Sequence, residues 1–409
     1  MKVLLVTGEF PPMQGGVGDY TREIGLALRD LGCTIHVATS AGAGPVPGLS
    51  VHPLVRRWSW GCWRVLLDLV RRERPDVVHI QYQAAAYAMH PAINLLPWRL
   101  RRMAGERPKV AVTFHDLKVP YLFPKAGRVR RWVVEELARR SDVAIATNRE
   151  DFESLRARLA HSLRSGQAHP PALIPIGSNI ALRLPAGYDR QAWRSRWGAG
   201  PDDFLLCTFG FVNARKGVDT LLRAIEILRD PQHRATHASP LPARERGHVR
   251  LVMIGGQTGA SDPTNVAYLA QIRAHIAELG LEDRVRWTGY LAPEEVSASF
   301  LAADLCALPF RDGASFLHGT LHAALAHGVP IVTTQPRVAL PELVHGENIY
   351  LVPPEDPQAL AQAIAGLAQA PELRRRLGEG AKALAEQFRW PKIAADTLAL
   401  YLGWAPEMP

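Results

Sequence analysis

The stretch Leu308 to Thr334, LPFRDGASFLHGTLHAALAHGVPIVTT, decides the fold. It begins with a short apolar strand ending at Pro309 and continues through a Gly/Ser/Asp loop. A helix follows from about Leu317, with Leu317, Leu321, Ala324 and Leu325 at helical spacing. Gly328-Val329-Pro330 is a helix stop, and a second strand runs from Pro330 to Thr334. Strand, loop, helix and strand in this order form a unit of a parallel sheet. Its loop falls outside the carboxyl end of a strand, where open α/β sheets bind ligands, and free N–H groups at the helix start favour an anion.

The same alternation extends in both directions. Lys2 to Thr7, Thr34 to Thr39, Asp76 to Ile80, Lys109 to Phe114, Asp142 to Thr147 and Ala172 to Ile176 read as strands separated by helical segments. A second series begins after Leu182, with strands at Phe204 to Gly210, Val249 to Ile254 and Val285 to Thr288. The class is α/β with parallel, doubly wound sheets. At 409 residues the chain suits two domains, and Asp230 to His248 reads as an exposed excursion within the second.

Composition narrows the function classes. Hydrophobic residues make up 47% and charged residues 21%, the balance of a soluble globular protein. No apolar run approaches the roughly 18 residues that cross a bilayer, and the opening Met-Lys-Val-Leu-Leu-Val-Thr reads as a strand rather than a secretory signal. Cys33, Cys62, Cys207 and Cys306 are scattered without metal-type pairing, which suits a reducing cytoplasm. Charge is uneven: residues 1–188 hold 26 Lys and Arg against 15 Asp and Glu, within a total of +9. A basic first half suits an anionic partner, whether a phosphorylated carrier, a phospholipid or a nucleic acid, unless it is a solvated face.

Several stretches resemble a known family. Ala324, Ala326, Gly328, Pro330 and Ile331 fit the A-x-A-x-G-x-P-V pattern of retaining GT-B glycosyltransferases, family 4 in particular. That family carries two acidic residues, separated by seven others, just before the pattern; here Ser315 and Ala323 occupy those places. Pro11-Pro12, Gly15-Gly16 and Tyr20 resemble the family's first loop, and Lys216-Gly217 resembles its G-R-L-x-x-x-K-G loop. The resemblance covers essentially the whole chain and rests on the order and spacing of six such motifs.

The resemblance implies a GT-B architecture of two Rossmann-like domains facing each other across a cleft. Residues 1–182 would form the acceptor-side domain and 183–388 the nucleotide-sugar domain, with 389–409 a helix crossing back to the first. It also implies roles. Lys216 would hold the donor diphosphate, with Gly210, Phe211 and Arg215 in the same loop. Phe211 stands where the family has arginine, so that second phosphate cation is either absent or supplied by Arg215. Backbone near Tyr290 and Leu291 would meet the nucleotide base. His115, after the fourth strand, would face the transferred sugar, with Asn148 after the fifth and Gly15 and Gly16 near the phosphates.

The bland readings stand beside these: a structural βα turn for Gly15-Gly16 and a structural hydrogen bond for His115. Asp312 is the carboxylate nearest to the replaced acidic pair. It either contacts the donor sugar, with Gly313 opening its loop and Ser315, Gly319 and Thr320 offering hydroxyls and N–H groups, or merely caps the helix or turn. With His115, Lys216 and Asp312 as the catalytic set, the expected reaction is sugar transfer from a nucleotide-diphosphate sugar to a saccharide or lipid-linked acceptor. No Asp-x-Asp metal pair occurs, so neither a metal nor a cofactor is expected. Alternatives are a nucleotide-sugar epimerase or sugar phosphorylase on the same fold, and a non-catalytic scaffold of a polysaccharide-assembly complex.

Arg56-Arg57-Trp58-Ser59-Trp60-Gly61-Cys62-Trp63-Arg64, Trp98 to Arg102 and Arg128 to Trp132 interleave tryptophan with arginine. Such stretches suit an anionic membrane surface, and hence a peripheral location at its inner face, or else core tryptophans beside solvated arginines. Nucleic acid would use the same ingredients, but is not the expected partner.

Overall fold

The computed structural model describes residues 1–13, 15–117, 127–164, 170–178, 180–229, 248–255 and 263–403. The expected excursion from Asp230 lies outside the described residues up to 247. The chain divides into two compact units, Met1–Asn179 with Phe388–Pro409, and Ile180–Gln387.

The first unit alternates strands and helices: β1 (Lys2–Thr7), α1 (Gly16–Asp30), β2 (Thr34–Ser40), β3 (Ser50–Val55), α2 (Cys62–Glu73), β4 (Val77–Tyr82), α3 (Leu96–Leu100), β5 (Lys109–Phe114), α4 (Gly127–Arg140), β6 (Val143–Ala146), α5 (Arg149–Arg164) and β7 (Ala172–Leu173). The strands pair in parallel in the order β3-β2-β1-β4-β5-β6-β7. β1 is apolar from Val3 to Val6 because both faces are covered: Leu4 and Val6 pack into one cluster, Val3 and Leu5 into the other.

The second unit runs α6 (Arg190–Arg196), β8 (Phe204–Phe209), α7 (Val218–Arg229), β9 (Val249–Ile254), α8 (Pro263–Glu278), β10 (Val285–Trp287), α9 (Pro293–Ala302), β11 (Leu305–Leu308), α10 (Gly319–Ala326), β12 (Ile331–Thr334), β13 (Tyr350–Val352), α11 (Pro357–Gln369) and α12 (Pro371–Ala385). Its parallel sheet has the order β10-β9-β8-β11-β12-β13. In both units the strand order reverses beside the first strand, the switch point at which such sheets bind ligands.

The last helix, α13 (Trp390–Leu402), belongs to the first unit, where Ile393, Ala394 and Tyr401 join the cluster of Tyr20, Ile24 and Leu28. Burying a large apolar side chain such as Ile393 is worth about 1.5–3 kcal/mol, which helps hold α13 in the first unit. Tyr401 adds a polar tie, its hydroxyl 2.5 Å from His79 Nδ1 inside the core. The four cysteines are free and buried. Among the described residues, no helix is long and apolar enough to cross a membrane.

Candidate active site

Three glycines meet at the carboxyl ends of β8, β9 and β10. Gly255 bridges Gly289, its N–H donates to Thr288 Oγ1 at 3.0 Å, and a Cβ added to it would lie 3.3 Å from Gly210 Cα. All three have positive φ, 90° at Gly210, 113° at Gly255 and 69° at Gly289, a conformation that favours glycine.

Lys216 is folded into the same place. It ends a short 3₁₀ turn, after which Gly217 turns left-handed at φ 61°, packed so tightly that a Cβ there would meet Pro309 O at 2.1 Å. The Lys216 ammonium donates to Phe209 O at 2.7 Å, and a Cβ on Gly210 would sit 2.4 Å from its Nζ and 2.9 Å from Thr320 Cγ2. Gly210, Lys216 and Thr320 are thus brought together. Burial of the amine pushes the Lys216 pKa down to about 7, and among the described residues Phe209 O is its hydrogen-bond partner.

Arg215 is exposed, and its carbonyl accepts the Arg311 amide at 2.8 Å. The Arg311 guanidinium is held by Asp219 at 2.5 Å, and Asp219 also accepts from Tyr268. This network, which the sequence pattern did not reveal, braces the Lys216 loop against the Asp312 loop. Phe211, 51% exposed, and Tyr290, 87% exposed, present apolar surface to solvent beside these loops, whereas Leu291 is buried.

The substituted acidic motif has an internal logic. Gly313 is left-handed, and a Cβ there would meet Gln335 O at 2.6 Å. Ser315 Oγ accepts the Leu317 amide at 3.2 Å, and the His318 amide donates to Ser315 O at 3.0 Å. This turn delays the helix, so α10 opens at Gly319 rather than near Leu317. Asp312 does not cap it: the N-cap is His318, without a side-chain cap bond. The Asp312 carboxylate instead lies 3.5 Å from His318 Nε2, and the His318 ring stacks on Phe310 at 3.9 Å. Burial lowers the His318 pKa, against the pull of Asp312. Gly319 and Thr320 stand at the open helix start, with space above Gly319 for a ligand atom. Ala323 is buried and faces the core.

The remaining candidates lie in the first unit. Gly15 and Gly16 open α1, but Glu9 has reached them first. Val17 N–H donates to Glu9 Oε1 at 3.2 Å, and a Cβ on Gly15 would lie 2.1 Å from that oxygen. Half-buried His115 has Nε2 3.0 Å from Gln81 Oε1 and its ring against Tyr20 at 4.6 Å; burial takes its pKa down to about 3, so the ring is neutral. Asn148 spends both amide atoms on α5, accepting from Asp151 N and donating to Asp151 Oδ2, each at 2.8 Å. Glu9, Gln81 and His318 were not among the expected site residues: the sequence shows each only as a single polar residue in or beside a strand or loop.

Comparison with known proteins agrees with this geometry. Residues 203–370 match the family model described as glycosyl transferases group 1, and residues 15–165 match the glycosyl transferase 4-like domain. The D-inositol 3-phosphate glycosyltransferase of Corynebacterium efficiens is 30% identical over 435 residues, covering 98% of this chain and 95% of that protein. The chain belongs to the glycosyltransferase 4-like family.

It is therefore a glycosyltransferase with Ser315 and Ala323 at the family's acidic places. The enzyme of the same name from Corynebacterium glutamicum is 27% identical over 375 residues, 88% of this chain and 80% of that one. Sucrose-phosphate synthase from Thermosynechococcus elongatus has the same GT-B fold, with a TM-score of 0.70, 22% identity and 98% coverage of both chains. Anabaena Alr3699/HepE in complex with UDP aligns with a TM-score of 0.71 and 18% identity, covering 98% of this chain and 100% of that one.

Proposed function

We propose that this glycosyltransferase moves a hexose from a nucleotide-diphosphate sugar to a saccharide or lipid-linked acceptor, with retention and without a metal. The observation that carries the reading is Lys216, a cation buried against Gly210 and Thr320 where an incoming diphosphate would restore its charge. A leaving diphosphate needs its developing charge stabilised, and Lys216 together with the open N–H groups at Gly319 offers that stabilisation. In a front-face retaining route the donor phosphate itself takes the acceptor proton, so no protein base is required. Asp312 takes over sugar hydroxyls from the absent acidic residue, with Ser315 and Thr320 beside it. His115 and the backbone around Gly15 and Gly16 serve the acceptor side.

UDP-sugars are the first donors to try, because Anabaena Alr3699/HepE, which shares the fold, is solved in complex with UDP and with UDP-glucose. The curated relatives act on D-inositol 3-phosphate by name, and the basic first 188 residues suit a phosphorylated acceptor. Exposed Trp60 and Trp132, with Arg102 over Trp98 at 3.8 Å, support an anionic membrane surface as the place where a lipid-linked acceptor is met. Trp58 is core, so only part of the tryptophan-arginine pattern serves this role.

The loss of both acidic residues, with Ala323 buried, favours one second reading, a nucleotide-binding scaffold without turnover. Nucleotide release measured across a panel of sugar donors and acceptors, for the parent and for Asp312→Asn, separates the two. Transfer by the parent that falls at least tenfold in the variant at unchanged melting temperature supports the enzyme and Asp312's contact. Tight nucleotide binding with no release under any acceptor supports the scaffold, and release without an acceptor supports an epimerase-like or hydrolytic reaction.

A further inference from the structure

Two histidines and a carboxylate converge at the amino ends of the first unit's strands, the end of the sheet opposite His115. His36 lies on β2 and His52 on β3. His36 pairs with Ser50 and Ala38 with His52, so the two rings project from the same face of neighbouring parallel strands. Glu73 ends α2, where left-handed Arg74, φ 47°, turns the chain toward β4. His36 Nδ1 is 3.0 Å from His52 Nε2 and 3.7 Å from Glu73 Oε2, and one ligand atom from each residue lies within 4.8 Å of the others.

Ligands bound tetrahedrally at about 2.0–2.2 Å stand roughly 3.3–3.6 Å from one another, so shifts of a few tenths of an ångström would bring these atoms around one ion. We propose that His36, His52 and Glu73 form a site for a divalent transition cation of the zinc class, which ties β2, β3 and the end of α2 together. Two imidazoles and one carboxylate are the borderline donor set that such a cation prefers over calcium or magnesium, and three protein ligands leave one position for water.

The surroundings support the assignment and limit its strength. His36 is 8% exposed and His52 is half-buried, so the donor atoms are largely shielded from bulk water. Arg72 donates to Glu73 Oε1 and leaves Oε2 turned toward His36. Arg72 and Lys2, whose ammonium donates to Glu73 O, add positive charge that opposes a cation. Micromolar affinity is therefore expected rather than the tighter binding of a closed cysteine site. The position is remote from the sugar-transfer loops of its own sheet, so the ion acts on stability and takes no part in transfer.

The test uses the full chain with any histidine tag removed, stripped with EDTA and titrated with Zn²⁺ by calorimetry. One equivalent should bind with a Kd on the order of micromolar, and a tenfold excess should raise the Tm by on the order of 3 °C. His52→Ala and Glu73→Gln, at half-buried positions that tolerate substitution, should each weaken binding at least tenfold and abolish the rise, with nucleotide binding unchanged. Zinc affinity equal to the parent's in both variants would put the ion elsewhere. No binding up to about 1 mM would reduce the contact to a hydrogen bond between two imidazoles.

Discussion

Two turns rich in glycine, one after β1 and one after β8, occupy equivalent places in two sheets of the same strand order, yet the chain has filled them with opposite charges. After β1, the Glu9 carboxylate sits against Gly15 and takes the Val17 N–H, so the positive end of α1 has an anion of the protein's own. After β8, the half-buried Lys216 amine occupies the glycine-lined corner, and among the described residues no carboxylate pairs with it. A glycine turn announces that something approaches the backbone. The neighbouring side chain decides whether that something is already present or has to arrive as a ligand.

The largest expected effect breaks the second turn. Lys216→Met should weaken nucleoside diphosphate binding at least tenfold, for a charged hydrogen bond worth roughly 1.5–3 kcal/mol. Its effect on the unliganded protein should have the opposite sign. Folded Lys216 titrates at about 7 and an ordinary lysine near 10.5, so between those values the unfolded chain holds a proton that the folded chain lacks. Lys216 therefore costs stability at pH 7, and the cost fades as pH rises toward 10.5. The variant should melt higher than the parent at pH 7 and no higher at pH 10.5. Diphosphate binding should also take up a proton at about pH 8.5, read as a dependence of the calorimetric enthalpy on buffer ionisation; a buffer-independent enthalpy would remove the charge from the contact.

A smaller effect is expected at the first turn. Glu9→Ala should cost about 1 kcal/mol of stability by urea unfolding, as for a lost helix cap, whereas Glu9→Gln keeps the acceptor and should lose less. A Glu9→Ala protein as stable as the parent but with stronger diphosphate binding would recast Glu9 as a group that a ligand must displace.

The smallest effect sharpens the contrast in charge. Residues 1–188 carry the basic excess, so co-sedimentation with anionic vesicles should exceed that with neutral ones at low salt and fade by about 0.5 M salt. Equal, negligible binding to both kinds of vesicle would sink the membrane reading and favour a soluble acceptor.

Much of the scaffold was legible because fully buried parallel strands are written as short apolar runs. Lys2–Thr7, Lys109–Phe114 and Ile331–Thr334 show this plainly. β3 was missed because it is an edge strand, largely accessible to solvent and carrying Pro53, and so shows no apolar run. The start of α10 was read two residues early because apolar spacing registers Leu317 and cannot see Ser315 Oγ taking its amide.

By itself the sequence determined the class of fold, the alternation of strands and helices, the places of the glycine turns and the absence of both acidic residues at Ser315 and Ala323. These are local properties, set by periodicity and by residues without side chains. Tertiary structure alone decided that Glu9 reaches Gly15, that Asp312 turns to His318 rather than to a helix end, that Lys216 loses its solvent, and that His36, His52 and Glu73 meet. Each of those depends on which strands become neighbours, and charge and proton affinity follow from the neighbours and the water they exclude.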